Sequence, residues 1–227
     1  MPKLAVPKIS KFYSSVLVCG LLAVCLFALT GSGAPLTNVI TGQTMGTSYR
    51  IVLADSQDAT TLAAMQADID LALNQLEDQM STWRPDSELS RFNVSTSTDW
   101  FSVSRDTVFV VSEAKRIWQL SDGAFDPTVA PLIKLWHFAE EPGEQSLPSE
   151  SDIKQALAAI GFDQINVRLD PPSLMKKRPE IQLNLSAIAK GYAVDVVSKL
   201  LTERLAEDHL PTAHLVEIGG EMRGRGR

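Results

Sequence analysis

The sequence predicts an α+β chain, and three observations carry that prediction. Runs rich in β-branched residues alternate with segments whose apolar residues recur every three or four positions, in the order β, α, α, β, α, β. A length of 227 residues with 44% hydrophobic content supports a substantial core. The sequence also lacks the internal repeats of a solenoid and the low-complexity tracts of a disordered chain.

The elements follow in order. Lys3, Lys8 and Lys11 precede an uncharged apolar run from Val16 to Leu29, and small residues Gly31 to Ala34 come next, the layout of a secretory signal. The run is shorter than the roughly 20 residues of a membrane-spanning helix. Residues 1–33 therefore read as a signal peptide or N-terminal membrane anchor, and residues 34–227 as one exported domain. The expected location is the bacterial periplasm, in association with the inner membrane. Leu29-Thr30-Gly31-Ser32 has the frame of a lipoprotein cleavage site, but the Ser32 hydroxyl cannot form the thioether of a lipidated cysteine. Both cysteines, Cys19 and Cys25, lie in the apolar run, so the exported body has no disulfide and no thiolate metal site. Removing the three leading lysines leaves 18 basic against 27 acidic groups, 18 − 27 = −9. An acidic body argues against nucleic acid as a partner.

Residues 39 to 53 read as extended segments interrupted by Gly42 and Gly46. Leu62, Met65, Ile69, Ala72, Leu76 and Met80 then lay one apolar stripe along a helix from Thr60 to Met80. Ser104 reads as the N-cap of a helix ending near Gly123, and Ser149 with Asp152 as the capping box of a helix ending at Ile160. Strands are expected at Ile165–Leu169, Ile181–Leu185 and His214–Ile218, with a helix from Ala187 to Ala206 before the last. The stretch "PPSLMKKRP", residues 171 to 179, reads as a solvated hairpin-like connection.

Familiar catalytic signatures are missing: the sequence contains no HExxH, CxxC, GxxxxGKS, GxGxxG or GxSxG, and its three histidines are not spaced as metal ligands. Four other stretches carry possible chemistry. Met45 in "QTMGTSYR" offers a thioether beside Gly46, suited either to a strand core or to packing against a flat ring. Trp83 in "MSTWRPDSELSRFN" sits in a turn-like setting with Ser87, Ser90 and Asn93, the pattern of a capped short helix with a half-buried Trp. Asp126 in "DGAFDPTVAPL" reads either as an N-cap or as an acceptor for a ligand hydroxyl or ring N–H. "LNLSAIAKGYAVD" puts Lys190 and small residues at a strand-to-helix junction. There the first-turn N–H groups and one cation could hold a pyrophosphate, and a freed carbonyl could meet Mg²⁺; the plain alternative is a surface lysine.

Taken together and in order, "TMGTSY", "MSTWRPDSELSRFN", "GAFDPTVAPLIKLW", "LNLSAIAKGYAVD" and "HLVEIGGE" resemble the ApbE family, the FAD:protein FMN transferases of bacterial envelopes. The resemblance implies an ApbE-like, T-fold-like mixed sheet with packed helices. It implies Mg²⁺-dependent transfer of FMN from FAD to a threonine or serine of an acceptor protein, such as a subunit of a redox-driven ion pump, with release of AMP. It also implies FAD contacts at Met45, Trp83, Ala124, Phe125, Asp126, Asn184 and Lys190, and a Mg²⁺ ligand in the backbone carbonyl of Ala187. The family's pattern continues beyond "EIGGE" with an Asp and a Thr that ligate Mg²⁺. On that comparison the sequence reads as C-terminally truncated, with "RGRGR" as an out-of-context tail. A non-catalytic FAD-binding protein, an FAD pyrophosphatase and an inactive remnant stand as alternatives.

Overall fold

Asn38–Thr44 (β1) and Thr47–Leu53 (β2) pair antiparallel, with Gly42 opposite Tyr49. Met45 and Gly46 close this hairpin with φ of 49° and 71°, the two positive values that a two-residue turn of matching twist requires. The computed structural model describes residues 37–138, 147–207 and 213–226. The segment 1–33, read as a signal or anchor, lies outside the described residues, and no helix among those described is long and apolar enough to cross a membrane.

Asp58 starts the first helix, Ala59–Met80 (α1), by accepting from the N–H groups of Thr60 and Thr61, two donors that would otherwise lack partners. Its buried face is Met65, Ile69, Leu73, Leu76 and Met80. That is the expected stripe with Leu73 in place of half-buried Ala72. Glu88–Val94 (α2), capped by Ser87, and Arg105–Leu120 (α3), capped by Ser104, follow around the two-residue strand Phe101–Ser102 (β3). Ala130–Leu135 (α4) is short, and Glu150–Ala158 (α5) opens with the expected Ser149–Asp152 capping box. Ile165–Arg168 (β4) and Ser173–Lys176 (β5) make a hairpin, Ser186–Glu207 (α6) is the second long helix, and His214–Ile218 (β6) and Glu221–Arg225 (β7) make another hairpin.

The α+β class holds, with one difference. In place of a single mixed sheet there are two antiparallel sheets, ordered β1-β2-β6-β7 and β3-β5-β4. Tight turns join β1 to β2, β4 to β5 and β6 to β7, and a tight turn can only return the chain antiparallel. One core runs through the described residues, built from the buried faces of α1, α3 and α6 and the inward residues of the strands.

Three local expectations are corrected. "PPSLMKKRP" lies in a hairpin, the one formed by β4 and β5, but it is not solvated throughout: it contains β5, whose Ser173, Leu174 and Lys176 are buried. Ile181–Leu185 pairs with no strand among the described residues. Its residues 181, 183 and 185 are buried in alternation, but its backbone is met by a side chain and a loop carbonyl. "RGRGR" is not wholly an out-of-context tail, since its Arg223, Gly224 and Arg225 belong to β7, which pairs with β6 in register from Ile218↔Glu221 to His214↔Arg225.

Candidate functional site

Asn184 sets the start of α6: its Oδ1 accepts from the Ser186 N–H at 2.9 Å, and the Leu185 carbonyl accepts from the N–H groups of Ile188 and Ala189 at 3.0 and 2.8 Å. The chain leading into the helix is gripped from two sides. The Asn184 N–H donates to the Pro127 carbonyl at 2.7 Å. The Asn93 side chain donates to the Leu183 carbonyl and accepts from the Leu183 N–H, both at 2.8 Å. A helix start fixed this firmly presents its partly positive first turn in one orientation.

Three clefts meet there. A narrow slot of ≈ 80 Å³ lies between Met45 and Trp83 and reaches Ala189 and Lys190. A second cleft, ≈ 490 Å³, follows α6 past Ala187, Lys190 and Tyr192 to Glu221. A third, ≈ 320 Å³, passes Trp83 and Asn184 towards Lys134 and His137. Ser186 lines all three, and Lys190 lines the first two. The two larger clefts are of the size that takes small ligands. An elongated ligand with a negative centre could therefore place that centre at Ser186 and Lys190 and its ends in different arms.

The slot's walls are set by polar contacts that the sequence did not reveal. The Met45 N–H donates to Glu77 Oε1 at 2.7 Å, and Thr44 Oγ1 donates to the same oxygen at 3.0 Å. Arg84 pairs with the other Glu77 oxygen and with Asp78, and donates to Asn74 Oδ1 at 3.2 Å. In the loop after α1, the N–H groups of Trp83 and Arg84 donate to Ser81 Oγ at 3.1 and 3.2 Å, while the Ser87 and Ser90 hydroxyls donate to the Ser81 carbonyl. Trp83 is 73% exposed, which leaves the indole free to stack.

Lys190 lies against Gly219, whose φ is +56°. A Cβ at that glycine would sit 2.8 Å from Thr47 Cγ2 and 3.2 Å from Lys190 Cδ. Its absence gives the lysine its berth. In the second cleft the Tyr192 hydroxyl donates to Asp106 Oδ1 at 2.7 Å. Burial, then that bond and the Asp106 charge, push the phenol well above its ordinary value. Asp195, also on this cleft, pairs with Arg223 and so ties α6 to β7.

The structure thus brings Met45, Trp83, Asn184, Lys190 and Ala187 to one junction. It does not bring Ala124, Phe125 and Asp126 there, for these line none of the three clefts. Asp126 is not the N-cap of α4, which is Val129. Its Oδ1 accepts from the Thr128 N–H at 2.8 Å and from the Thr128 hydroxyl, and its Oδ2 accepts from the Phe162 N–H at 3.3 Å. The Ala124 N–H donates to the Ser121 carbonyl, and Phe125 packs on the core. This turn supports the site through Pro127. Glu77 was missed because it follows Leu76 on a helix whose apolar face explains the pattern, and nothing local marks it.

Mg²⁺ finds an incomplete shell. Among the described residues no group of three or more His, Cys, Asp or Glu converges. Ala187, whose carbonyl is the expected Mg²⁺ ligand, is the second residue of α6 and lines the second cleft. These residues do not by themselves hold a hard cation.

A model of the ApbE family matches residues 45–227. Over 202 residues the chain is 40% identical to a protein of Vibrio cholerae named FAD:protein FMN transferase, covering 88% of this chain and 58% of that protein. It is 34% identical over 217 residues to one of the same name from Haemophilus influenzae, covering 93% and 61%. It also superposes on the solved flavin transferase ApbE of Vibrio cholerae with a TM-score of 0.75 and 39% identity, over 84% of this chain and 59% of that one. The chain spans about three fifths of the length of these relatives.

Proposed function

Because the chain belongs to the ApbE family, we propose that it acts as its relatives are named: it takes FAD and transfers FMN to an acceptor protein. One observation carries the reading. Ser186 and Lys190, at the start of α6, stand where three clefts join, which suits a pyrophosphate flanked by two ring-bearing arms. Met45 and Trp83 would border one ring. Asn184 would act by holding the helix start.

In this reading the hydroxyl oxygen of an acceptor threonine or serine attacks the flavin-side phosphorus. A P–O bond forms to the acceptor, the bridging P–O bond breaks, the hydroxyl proton passes to solvent and AMP leaves with the bridging oxygen. Lys190 and the aligned N–H groups of α6 stabilise the charge on the phosphoryl oxygens during transfer. Mg²⁺ would supply further charge neutralisation when bound, with the Ala187 carbonyl as the ligand expected from this chain. We place the reaction in the periplasm beside the inner membrane, with subunits of redox-driven ion pumps as acceptors, from the basic and apolar N-terminus and the family resemblance.

The test is incubation of the full chain with FAD, Mg²⁺ and a pump subunit bearing the acceptor threonine, followed by mass spectrometry of the acceptor and chromatography of nucleotides. FMN on the acceptor with matching AMP supports the transferase. AMP and FMN released without acceptor would instead make the chain an FAD pyrophosphatase, and FAD bound but unchanged would make it a flavin-binding protein.

A further inference from the structure

Met45 and Trp83 both line the narrow slot, and they belong to segments far apart in sequence. One sits in the turn between β1 and β2, the other in the loop after α1. A single carboxylate joins them. Glu77 Oε1 receives both the Met45 N–H and the Thr44 hydroxyl, and Oε2 receives Arg84, the residue next to Trp83. Glu77 lies in the last turn of α1, beside buried Leu76 and Met80, and all three line the slot.

We propose that Glu77 is a positioning residue that fixes the separation of the Met45 and Trp83 walls, so that the slot admits one planar ring of the dinucleotide. The identity of the ligand rests on the function proposed above; the latch itself rests on geometry alone. A ring between a thioether and an indole needs its two neighbours about 7 Å apart, twice the contact distance of about 3.5 Å. A shift of about 1 Å either opens a gap that forfeits much of the contact or closes the slot. The Met45–Gly46 turn has positive φ at both residues and could tilt as a unit. Its N–H is the handle by which α1 holds it. Arg84 is spread over Glu77, Asp78 and Asn74, so it holds the Trp83 wall to the same helix.

The experiment compares the full-length wild type with Glu77→Ala and Glu77→Gln. Binding of FAD, FMN and ADP is followed by flavin fluorescence and calorimetry, and amide hydrogen exchange of the ligand-free proteins is measured at Met45 and Gly46. Glu77→Ala should weaken FAD by about tenfold or more and should weaken FMN or ADP, whichever half carries the ring in the slot, while leaving the other half unchanged. Exchange at Met45 should quicken. Glu77→Gln retains an acceptor for Met45 and Thr44 but loses the charge on Arg84, and should fall between. Equal losses for FMN and ADP, or unchanged exchange at Met45 in Glu77→Ala, would overturn the latch. A wild type that binds no FAD would defeat the dinucleotide reading, while the exchange measurement still decides for or against Glu77.

Discussion

The side-chain amide of Asn93 is bonded twice to the backbone of Leu183, giving its N–H to the carbonyl and receiving the Leu183 N–H, each at 2.8 Å. One side chain does for this segment what a neighbouring strand would do. Leu183 is fully buried, so neither backbone group has water as an alternative. Asn93→Ala should destabilise the fold by about 2–4 kcal/mol, the cost of two stranded polar groups. Asn93→Asp should recover little, since a carboxylate cannot donate to the Leu183 carbonyl. Urea denaturation of the three proteins checks this, and a loss of under about 0.5 kcal/mol for Asn93→Ala would mean that another group takes over.

Trp83 calls for the opposite pattern. Its indole is exposed, so Trp83→Ala should leave the melting transition nearly unchanged. The same change should weaken FAD roughly tenfold by removing a stacking face. Flavin quenching and a thermal melt on one preparation separate the two effects. A large fall in stability with unaltered binding would give the indole a structural task instead.

Gly42 faces Tyr49 across the β1–β2 ladder, and a Cβ built on it would fall 2.4 to 2.6 Å from the ring's Cε1, Cζ and hydroxyl. The ring cannot swing away: it is buried, and its hydroxyl donates to Asp70 at 2.7 Å. Gly42→Ala should cost about 1–3 kcal/mol. In a Tyr49→Leu background the same change should cost clearly less, and a double-mutant cycle measures the coupling. Additive effects would show that the strain lies elsewhere.

Lys176 is 1% exposed, with its Nζ 3.1 Å from the Asn93 carbonyl and 3.5 Å from that of Ile181. Burial pushes its ammonium down from the ordinary lysine value. The unfolded chain keeps that proton up to about pH 10.4, whereas the native state releases it earlier. Between the two values the unfolded state binds more protons, so stability rises with pH. Wild type should therefore gain on Lys176→Met as pH is raised from about 7 to about 9.5, read from urea midpoints at each pH. A difference that stays constant would mean that the native lysine holds its proton throughout.

What was legible in the sequence was what local spacing encodes. The stripe from Met65 to Met80, the Ser104 cap and the Ser149–Asp152 box each depend on residues within a turn or two of one another, and each appeared where expected. Residues 181 to 185 were half legible. Their alternation correctly signalled burial, but the partner is Asn93, which no local pattern ties to them. β5 was hidden because prolines and lysines normally mark solvent, and the acceptors that let Lys176 lie inside come from Asn93 and Ile181. The site divided along the same line. Motifs picked out Met45, Trp83, Asn184 and Lys190, which line the clefts, whereas Glu77 meets Met45 and Arg84 only when a turn, a helix end and a loop come together.

Because Tyr49 pairs with Ile218, the Met45–Gly46 and Gly219–Gly220 turns stand at the same end of the sheet, although they lie near opposite ends of the described chain. Their meeting closes a very long loop, an entropically late event in folding. The helices and the three hairpins can form while this end of the sheet is still apart. Lys190 can lie against Gly219 before then, because α6 and the β6–β7 turn are near neighbours in sequence, but Thr47, the other neighbour of that glycine, arrives only at this closure.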